Sequence, residues 1–125
     1  MSNALKQFEK QQYLNIETFR KNGQGVRTPV WFAQDGNALH IWTQADSGKV
    51  KRIRRNCKVR INPSTASGET LGEWTDVNAR ILEDAQEVNQ TARLFKQKYG
   101  SMFDLFGFIG KLRRARYLTI RIEFS

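Results

Sequence analysis

Alternating polar and apolar segments, separated by tight-turn dipeptides, constrain the fold of this chain more than any other feature. Three such segments come first: Tyr13 to Phe19, Val26 to Ala33 and Leu39 to Thr43. Asn22-Gly23 lies between the first two and Asp35-Gly36 lies before the third, and both dipeptides are typical of β-hairpin turns. Because such short turns join antiparallel strands, these residues predict an antiparallel meander.

The remaining residues predict three more strands and four helices. The strands are Lys58 to Asn62 (ended by Pro63), Glu73 to Leu82 and Tyr117 to Phe124. The helices are Asn3 to Gln11, Gly48 to Arg55, Asp84 to Tyr99 (ended by Gly100) and Ser101 to Gly110. So many strands in a short chain leave exposed edges unless the sheet closes. We therefore expect a mostly β fold, a six-stranded antiparallel barrel with flanking helices, as one domain over residues 1–125.

Net charge limits the partners. Lys and Arg number 21 and Asp and Glu 12, which leaves a formal charge of +9. Nucleic acid, an acidic membrane surface, and a phosphorylated or polycarboxylate small ligand all fit this charge, and so does a merely solvated basic surface. A single cysteine and a single histidine do not predict a metal site. With no signal peptide or membrane-length apolar run in the sequence, we expect a cytoplasmic protein.

The start of the second predicted helix is the strongest candidate for an anion site. Seven of the twelve residues from Lys49 to Arg60 are Lys or Arg. The first N–H groups of a helix are unpaired and lie at the positive end of its dipole, so they favour phosphate. Here Ser47 offers a hydroxyl, Gly48 permits close backbone approach, Lys49 adds a charge, and Thr43 ends the preceding strand within reach.

A bland alternative applies to the rest of that helix. Lys51, Arg52, Arg54 and Arg55 are also what the solvated face of an amphipathic helix looks like. Ser-Gly-Lys is not a P-loop, because the glycine spacing that the P-loop requires upstream is missing.

The second hairpin carries a candidate aromatic site. Pro29 lies inside a predicted strand, where proline is restricted to edges, bulges and strand starts, so backbone there is available to another group. Trp31, Phe32 and Trp42 add flat apolar surface of the kind that lines cofactor pockets. Taken one by one, these aromatic residues are equally typical of a core.

Together these segments resemble the pyridoxamine 5′-phosphate oxidase-like superfamily of split β-barrel flavoproteins. The matching residues are Val26 to Phe32, Ile41 to Thr43 and, most specifically, Ala45 to Asn56. The likeness is greatest to the small single-domain branch of deazaflavin (coenzyme F-420)-dependent enzymes, and it extends from Leu14 to Glu123. It implies a six-stranded split barrel that forms a homodimer, with the cofactor in a cleft between subunits.

The resemblance also implies roles for individual residues. Arg27 matches a position near the ribityl phosphate, and Thr43 and Lys49 match phosphate-binding positions, with Ser47 in the same loop. The strand beside the ring matches Thr28, Pro29, Val30 and Trp31. FMN and the deazaflavin share a ribityl phosphate, so these residues do not separate them; the charge of +9 favours the deazaflavin, which carries an acidic oligoglutamate tail.

Two departures argue against vitamin B6 oxidation. Phe32 stands where the oxidases proper have a lysine, and their C-terminal extension has no counterpart in this sequence. His40 and Cys57 are expected to be structural, and no carboxylate pair suggests an acid–base dyad, so the catalytic residues are unknown. We expect a hydride-transferring oxidoreductase acting on a small organic substrate. A non-catalytic flavin-binding or carrier protein, and a nucleic-acid-binding barrel that uses Lys49 to Arg60, stay as alternatives.

Overall fold

In the computed structural model, residues 3–105 and 116–124 are described, and they form six strands and three named helices. The strands are β1 Tyr13–Phe19, β2 Gly25–Asp35, β3 Ala38–Gln44, β4 Lys58–Ser64, β5 Thr75–Leu82 and β6 Tyr117–Glu123. The helices are α1 Asn3–Lys6, α2 Gly48–Arg55 and α3 Ala85–Tyr99. Residues 101–105 are also helical; the second half of the predicted helix Ser101 to Gly110 lies outside the described residues.

The strands close into one antiparallel barrel in the order β1-β2-β3-β6-β5-β4. This confirms the mostly β, six-stranded antiparallel fold that the turn signals predict. Its interior is filled by the side chains that alternate inward from every strand. Eight of the largest fully buried ones are Leu14, Ile16, Leu39, Ile41, Ile61, Leu118, Ile120 and Ile122. Each contributes about 1.5–3 kcal/mol by leaving water.

The helices cover the remaining apolar surface. Leu5 and Phe8, at and after α1, join the core at 2% exposure each, and Val50 and Ile53 make the buried face of α2. Helix α3 packs across the outside of β2, β3 and β6, with Phe95 buried.

The barrel is split between β2 and β3. Strand β2 pairs with β1 from Gly25 to Trp31, but it pairs with β3 only from Phe32 to Asp35. The last residues of β3, Trp42 to Gln44, pair with β6 and have no β2 partner in the described part of the chain. Pro29 lies in the half of β2 that has a single neighbour, where a missing N–H removes no ladder bond on the open side.

Several predicted boundaries are wrong: β2, for example, runs on to Asp35 instead of ending at Ala33, and three others have a clear structural cause. Strand β4 continues through Pro63 to Ser64, because β5 pairs with β4 only as far as Ile61 and leaves the proline beside one strand. Helix α1 ends at Lys6, well before Gln11, and Lys10 adopts a left-handed φ of 63°. Strand β5 begins at Thr75 because the Gln7 side chain takes both backbone groups of Glu73.

One residue assignment also fails. Cys57 is predicted to be a small packing residue, but it is exposed. It lies just after Asn56, the residue that caps the end of α2, where the chain turns at the surface into β4.

Candidate functional site

The loop before α2 brings the predicted phosphate-binding side chains together. Ser47 caps the helix, because its Oγ accepts a hydrogen bond from the Val50 N–H at 3.4 Å. The Thr43 Oγ1, on a residue only 6% exposed, lies 3.4 Å from the same Ser47 Oγ. The first turn of α2 contains no acidic residue, so nothing within it offsets the positive end of the dipole.

Lys49 adds an uncompensated charge at this helix start. Its side chain is half-buried, and burial, followed by the positive charge of Arg52, lowers its pKa. In the described part of the chain, no carboxylate forms an ion pair with it. A bound anion near the ammonium group would offset both the desolvation and the repulsion.

The opening between β2 and β3 forms a second feature, which we call the aromatic cleft. Its volume is about 320 Å³, and its lining residues are Tyr13, Pro29, Val30, Trp31, Trp42, Phe95, Phe103 and Tyr117. The rings contact one another: Trp42 is stacked on Tyr117 at 5.3 Å and meets Phe103 edge-on at 5.4 Å. Such a wall is suited to a flat apolar ring.

Helix α3 is held beside the cleft by a clasp of Lys98 and Tyr99 on the Phe32 backbone. The Tyr99 hydroxyl accepts from the Phe32 N–H at 3.1 Å, and it lies 2.7 Å from the Gln12 carbonyl oxygen. The Tyr99 ring is stacked on Trp31, with ring centroids 4.2 Å apart. The Lys98 ammonium donates to the Phe32 carbonyl at 2.7 Å. Burial lowers the pKa of Lys98 to about 8 and raises the pKa of Tyr99.

The structure groups most of the predicted cofactor-binding residues into these two places. Pro29, Val30, Trp31 and Trp42 line the aromatic cleft, and Thr43, Ser47, Gly48 and Lys49 make up the helix start. Trp42 and Thr43 are neighbours in β3, so the two groups flank the end of that strand on its opposite faces. Arg27, which is exposed, and Thr28, which is half-buried, belong to neither group. Their binding roles stay predictions.

Sequence reasoning missed the contribution of α3 and the helical residues after it. Phe95 and Tyr99 are four residues apart on α3, which places their rings on one helix face, and Phe103 follows in the helical residues after Gly100. All three contact the tryptophans of the hairpin. That spacing is visible in the sequence and, combined with the hairpin, could have identified the wall of the cleft.

No membrane-length apolar helix occurs among the described residues. The same part of the chain contains no group of three or more His, Cys, Asp or Glu side chains placed to hold a metal ion.

Comparison with known proteins gives no match to any family model and none to a curated protein. Solved structures do match. HutZ, the heme storage protein from Vibrio cholerae, has a TM-score of 0.72 and 14% identity, over 96% of this chain and 86% of that one. A Listeria innocua protein named as a candidate pyridoxamine 5′-phosphate oxidase has a TM-score of 0.65 and 13% identity, over 94% and 87%.

An F-420 reductase has a TM-score of 0.64 and 16% identity, over 100% of this chain and 95% of that one. At such identities the similarity shows the fold, and the neighbours themselves differ in function. The split between β2 and β3 and the closed six-stranded order agree with the similarity to these structures, and together they show that the chain has a split β-barrel fold.

Proposed function

We propose that this protein is an oxidoreductase that binds a flavin-type cofactor, either deazaflavin coenzyme F-420 or FMN. The observation that carries the proposal is the placement of an apolar aromatic cleft and a cationic helix start on either side of the end of β3. A ribityl-phosphate cofactor has the same two-part chemistry, with a flat ring at one end and a phosphate at the other.

The residues of the cleft suit the ring. Trp31 and Trp42 offer aromatic faces, and the open side of β2 at Pro29 and Val30 leaves strand backbone beside the space. An apolar lining with a few backbone groups at its edge is typical of cofactor pockets. The same lining excludes water from the reacting ring.

The residues of the helix start suit the phosphate. The backbone N–H groups after Ser47 and the hydroxyls of Ser47 and Thr43 are donors, and the Lys49 ammonium lacks a carboxylate partner in the described chain. Donors of this kind form charge-assisted hydrogen bonds to phosphate oxygens. Arg27, exposed on β2, is proposed as a further contact to the phosphate end, with Thr28 beside the ring.

A bound flavin or deazaflavin supplies the hydride chemistry, and the protein supplies binding, orientation and the exclusion of water. The catalytic step therefore needs no nucleophile from the chain, in keeping with the absence of an assigned catalytic side chain. We further propose a single cofactor-binding domain that works as a homodimer, with a small organic substrate reaching the cofactor at the cleft between subunits. The F-420 reductase among the structural neighbours and the charge of +9 support the deazaflavin over FMN.

The similarity to a heme storage protein is not matched by an accessible histidine that could bind heme iron. His40 is the only histidine of the chain, and it is 3% exposed. One of its ring nitrogens lies 2.8 Å from Thr91 Oγ1 and the other 2.9 Å from an Arg121 nitrogen. It is therefore committed to internal contacts.

Cofactor titration tests the proposal. Purified protein is titrated separately with FMN and with coenzyme F-420, followed by the absorbance of each cofactor. Lys49→Ala should weaken binding by about 1.5–3 kcal/mol, or roughly tenfold to a hundredfold, through loss of a charge-assisted bond. Lys51→Ala is the matched control, because Lys51 is an exposed lysine on the same helix, and it should change affinity by less than about threefold.

Failure of both cofactors to bind contradicts the proposal. Equal losses in the two lysine variants contradict the phosphate site. Binding without any oxidation of the reduced cofactor by candidate substrates favours a carrier protein instead.

A further inference from the structure

Three arginines converge at the end of β1, and we call them the arginine cluster: Arg20, Arg52 and Arg55. The Arg52 Nε donates to Thr18 Oγ1 at 2.6 Å, and the Arg55 Nη2 donates to the Phe19 carbonyl at 3.3 Å. Arg20 follows Phe19 directly. Two arginines of α2 are thus attached to the strand whose next residue carries the third.

The cluster differs from four other arginines of the protein in having no counter-charge. Arg54, Arg60, Arg80 and Arg121 each lie within ion-pair distance of a carboxylate. Over residues 3–105 and 116–124, no carboxylate pairs with any member of the arginine cluster. The sequence explains part of this, since no acidic residue occurs between Ser47 and Gly68.

Repulsion within the cluster acts on Arg52, its most enclosed member. Burial, followed by the charges of Arg20 and Arg55, lowers the pKa of Arg52. The guanidinium of Arg52 also lies close to the helix start. A Cβ atom placed on Gly48 would be only 2.9 Å from the Arg52 Nη1. Like charges held together in this way are destabilising unless an anion joins them.

The cluster still has many free donors. A guanidinium carries five N–H groups in a fixed fork that matches the oxygens of phosphate. Arg52 uses its Nε–H on Thr18, and Arg55 uses one Nη2 hydrogen on Phe19. Arg20 and Arg55 are exposed, so their remaining donors are accessible.

We propose that the arginine cluster binds a ligand with two or more linked phosphate groups, either inorganic polyphosphate or the phosphate chain of a nucleotide. Three guanidinium groups offer more positive charge and more donors than one phosphate can use, whereas a short chain of phosphates contacts all three. This site adjoins the helix start of the cofactor-binding proposal at Gly48, but its three arginines are not among the residues assigned there. A nucleic acid matches the cluster less well. Proteins that bind single strands stack the bases on exposed aromatic rings, whereas the exposed residues next to the cluster in sequence are the lysines Lys21 and Lys51.

Calorimetric titration at constant ionic strength tests the proposal, with sodium tripolyphosphate, ATP and inorganic phosphate as separate probes. Tripolyphosphate should bind more tightly than phosphate. Arg20→Gln and Arg55→Gln should each lower its affinity by about tenfold, and the double variant by more. Arg93→Gln removes the same charge from an exposed position on α3 and should change affinity by less than about threefold.

A second readout separates binding from a structural role. Without ligand, Arg20→Gln should unfold at the same temperature as the parent or higher, because it relieves repulsion, yet the tripolyphosphate-induced rise in unfolding temperature should shrink. If ATP and tripolyphosphate bind alike, the phosphate chain alone is recognised; if ATP binds more tightly, the source is a nucleotide.

Four results overturn the proposal. They are no measurable binding of either polyphosphate, an equal loss in Arg93→Gln, a loss in Lys49→Ala with none in the double arginine variant, and tighter binding of a single-stranded oligonucleotide than of tripolyphosphate.

Discussion

Two neighbouring side chains of β3 face α3 in contrasting surroundings. His40 lies where β2 still pairs with β3, opposite Ala33, and it contacts Thr91 of α3. Trp42 lies two residues later, where β2 has diverged, and it contacts Phe95 of α3 with ring centroids 6.4 Å apart. The same strand and helix therefore enclose a polar network at one level and an open aromatic cleft at the next.

Both ring nitrogens of His40 have hydrogen-bond partners within the polar network. Arg121 donates to His40 Nε2 at 2.9 Å, which leaves Nδ1–H to donate to Thr91 Oγ1 at 2.8 Å. Thr119 donates to the same Thr91 oxygen at 2.8 Å, and Thr91 donates to the Glu87 carbonyl at 3.2 Å. A buried ring held by hydrogen bonds at both nitrogens is fixed in orientation.

The comparison indicates where ligand space comes from in this fold. Where strand pairing is complete, the helix above it closes on polar contacts. Where the strands separate, the helix contributes rings that leave space between them. Substitutions at each level test whether the two surroundings differ in this way.

The largest effect is expected from Phe95→Ala. Phe95 is 1% exposed and contacts Trp42, Tyr99 and Phe103, so its removal leaves a cavity beneath the cleft. The free energy of unfolding should fall by about 3–5 kcal/mol in denaturant titrations. Leu105→Ala, at a side chain 56% exposed, is the control and should change it by about 0.5 kcal/mol or less. Similar losses of unfolding free energy in both variants would contradict the stabilising role given to the buried Phe95 ring.

Thr91→Val tests the polar level. The change keeps the shape but removes the hydroxyl that His40 and Thr119 both contact. Leaving those buried donors unpaired should cost about 1–3 kcal/mol of unfolding free energy. Thr91→Ser retains the hydroxyl and should recover part of that loss; no difference between the Val and Ser variants contradicts the hydrogen-bond account.

The pH dependence of stability follows from His40. Burial is the main cause of its lowered pKa, while Asp35 acts to raise it and Arg121 to lower it; Arg80 and Glu87 line the same surface pocket. Because the folded state binds this proton less readily than the unfolded chain, the contribution to stability is complete above the ordinary value of 6.5. It is lost as pH falls below that value, by up to about 1.4 kcal/mol per pH unit.

Unfolding free energies measured from neutral to mildly acidic pH provide the check. His40→Gln removes the titrating group, so its stability should fall less over this range than that of the parent chain. Parallel curves for the two proteins would show that His40 is not responsible.

The smallest effect is expected from Pro29→Ala. This half of β2 has one strand neighbour, so restoring an N–H adds no ladder bond, and the cost should be below about 1 kcal/mol through the more flexible unfolded chain. Ala33→Pro, at a buried position that pairs with His40, should cost about 3 kcal/mol or more. Equal costs at the two positions would contradict the split of β2, as measured by thermal unfolding.

Local signals predicted elements well wherever the chain itself supplies the boundary. Strand β1 and helix α2 run over the expected residues, because Ser47 caps α2 and alternation marks β1. The end of β4 is not predictable from Pro63 alone. A proline disrupts a strand only where a second strand would bond to its missing N–H, and the absence of β5 beside Pro63 is a property of the tertiary structure. The sequence predicts only part of the cleft. Trp31 and Trp42 lie on the predicted hairpin, whereas other lining rings, such as Phe95 of α3, come from segments distant in sequence.

The clasp of Lys98 and Tyr99 has a consequence for motion. It joins α3 to β2 by side chains at Phe32, so the helix end can lift while the strand ladder stays intact. Openings of this kind need less free energy than global unfolding. The Phe32 amide should therefore exchange its hydrogen for deuterium sooner than the amides of Ile120 or Ile122, deep in the barrel, and a molecule held in the cleft would slow that exchange.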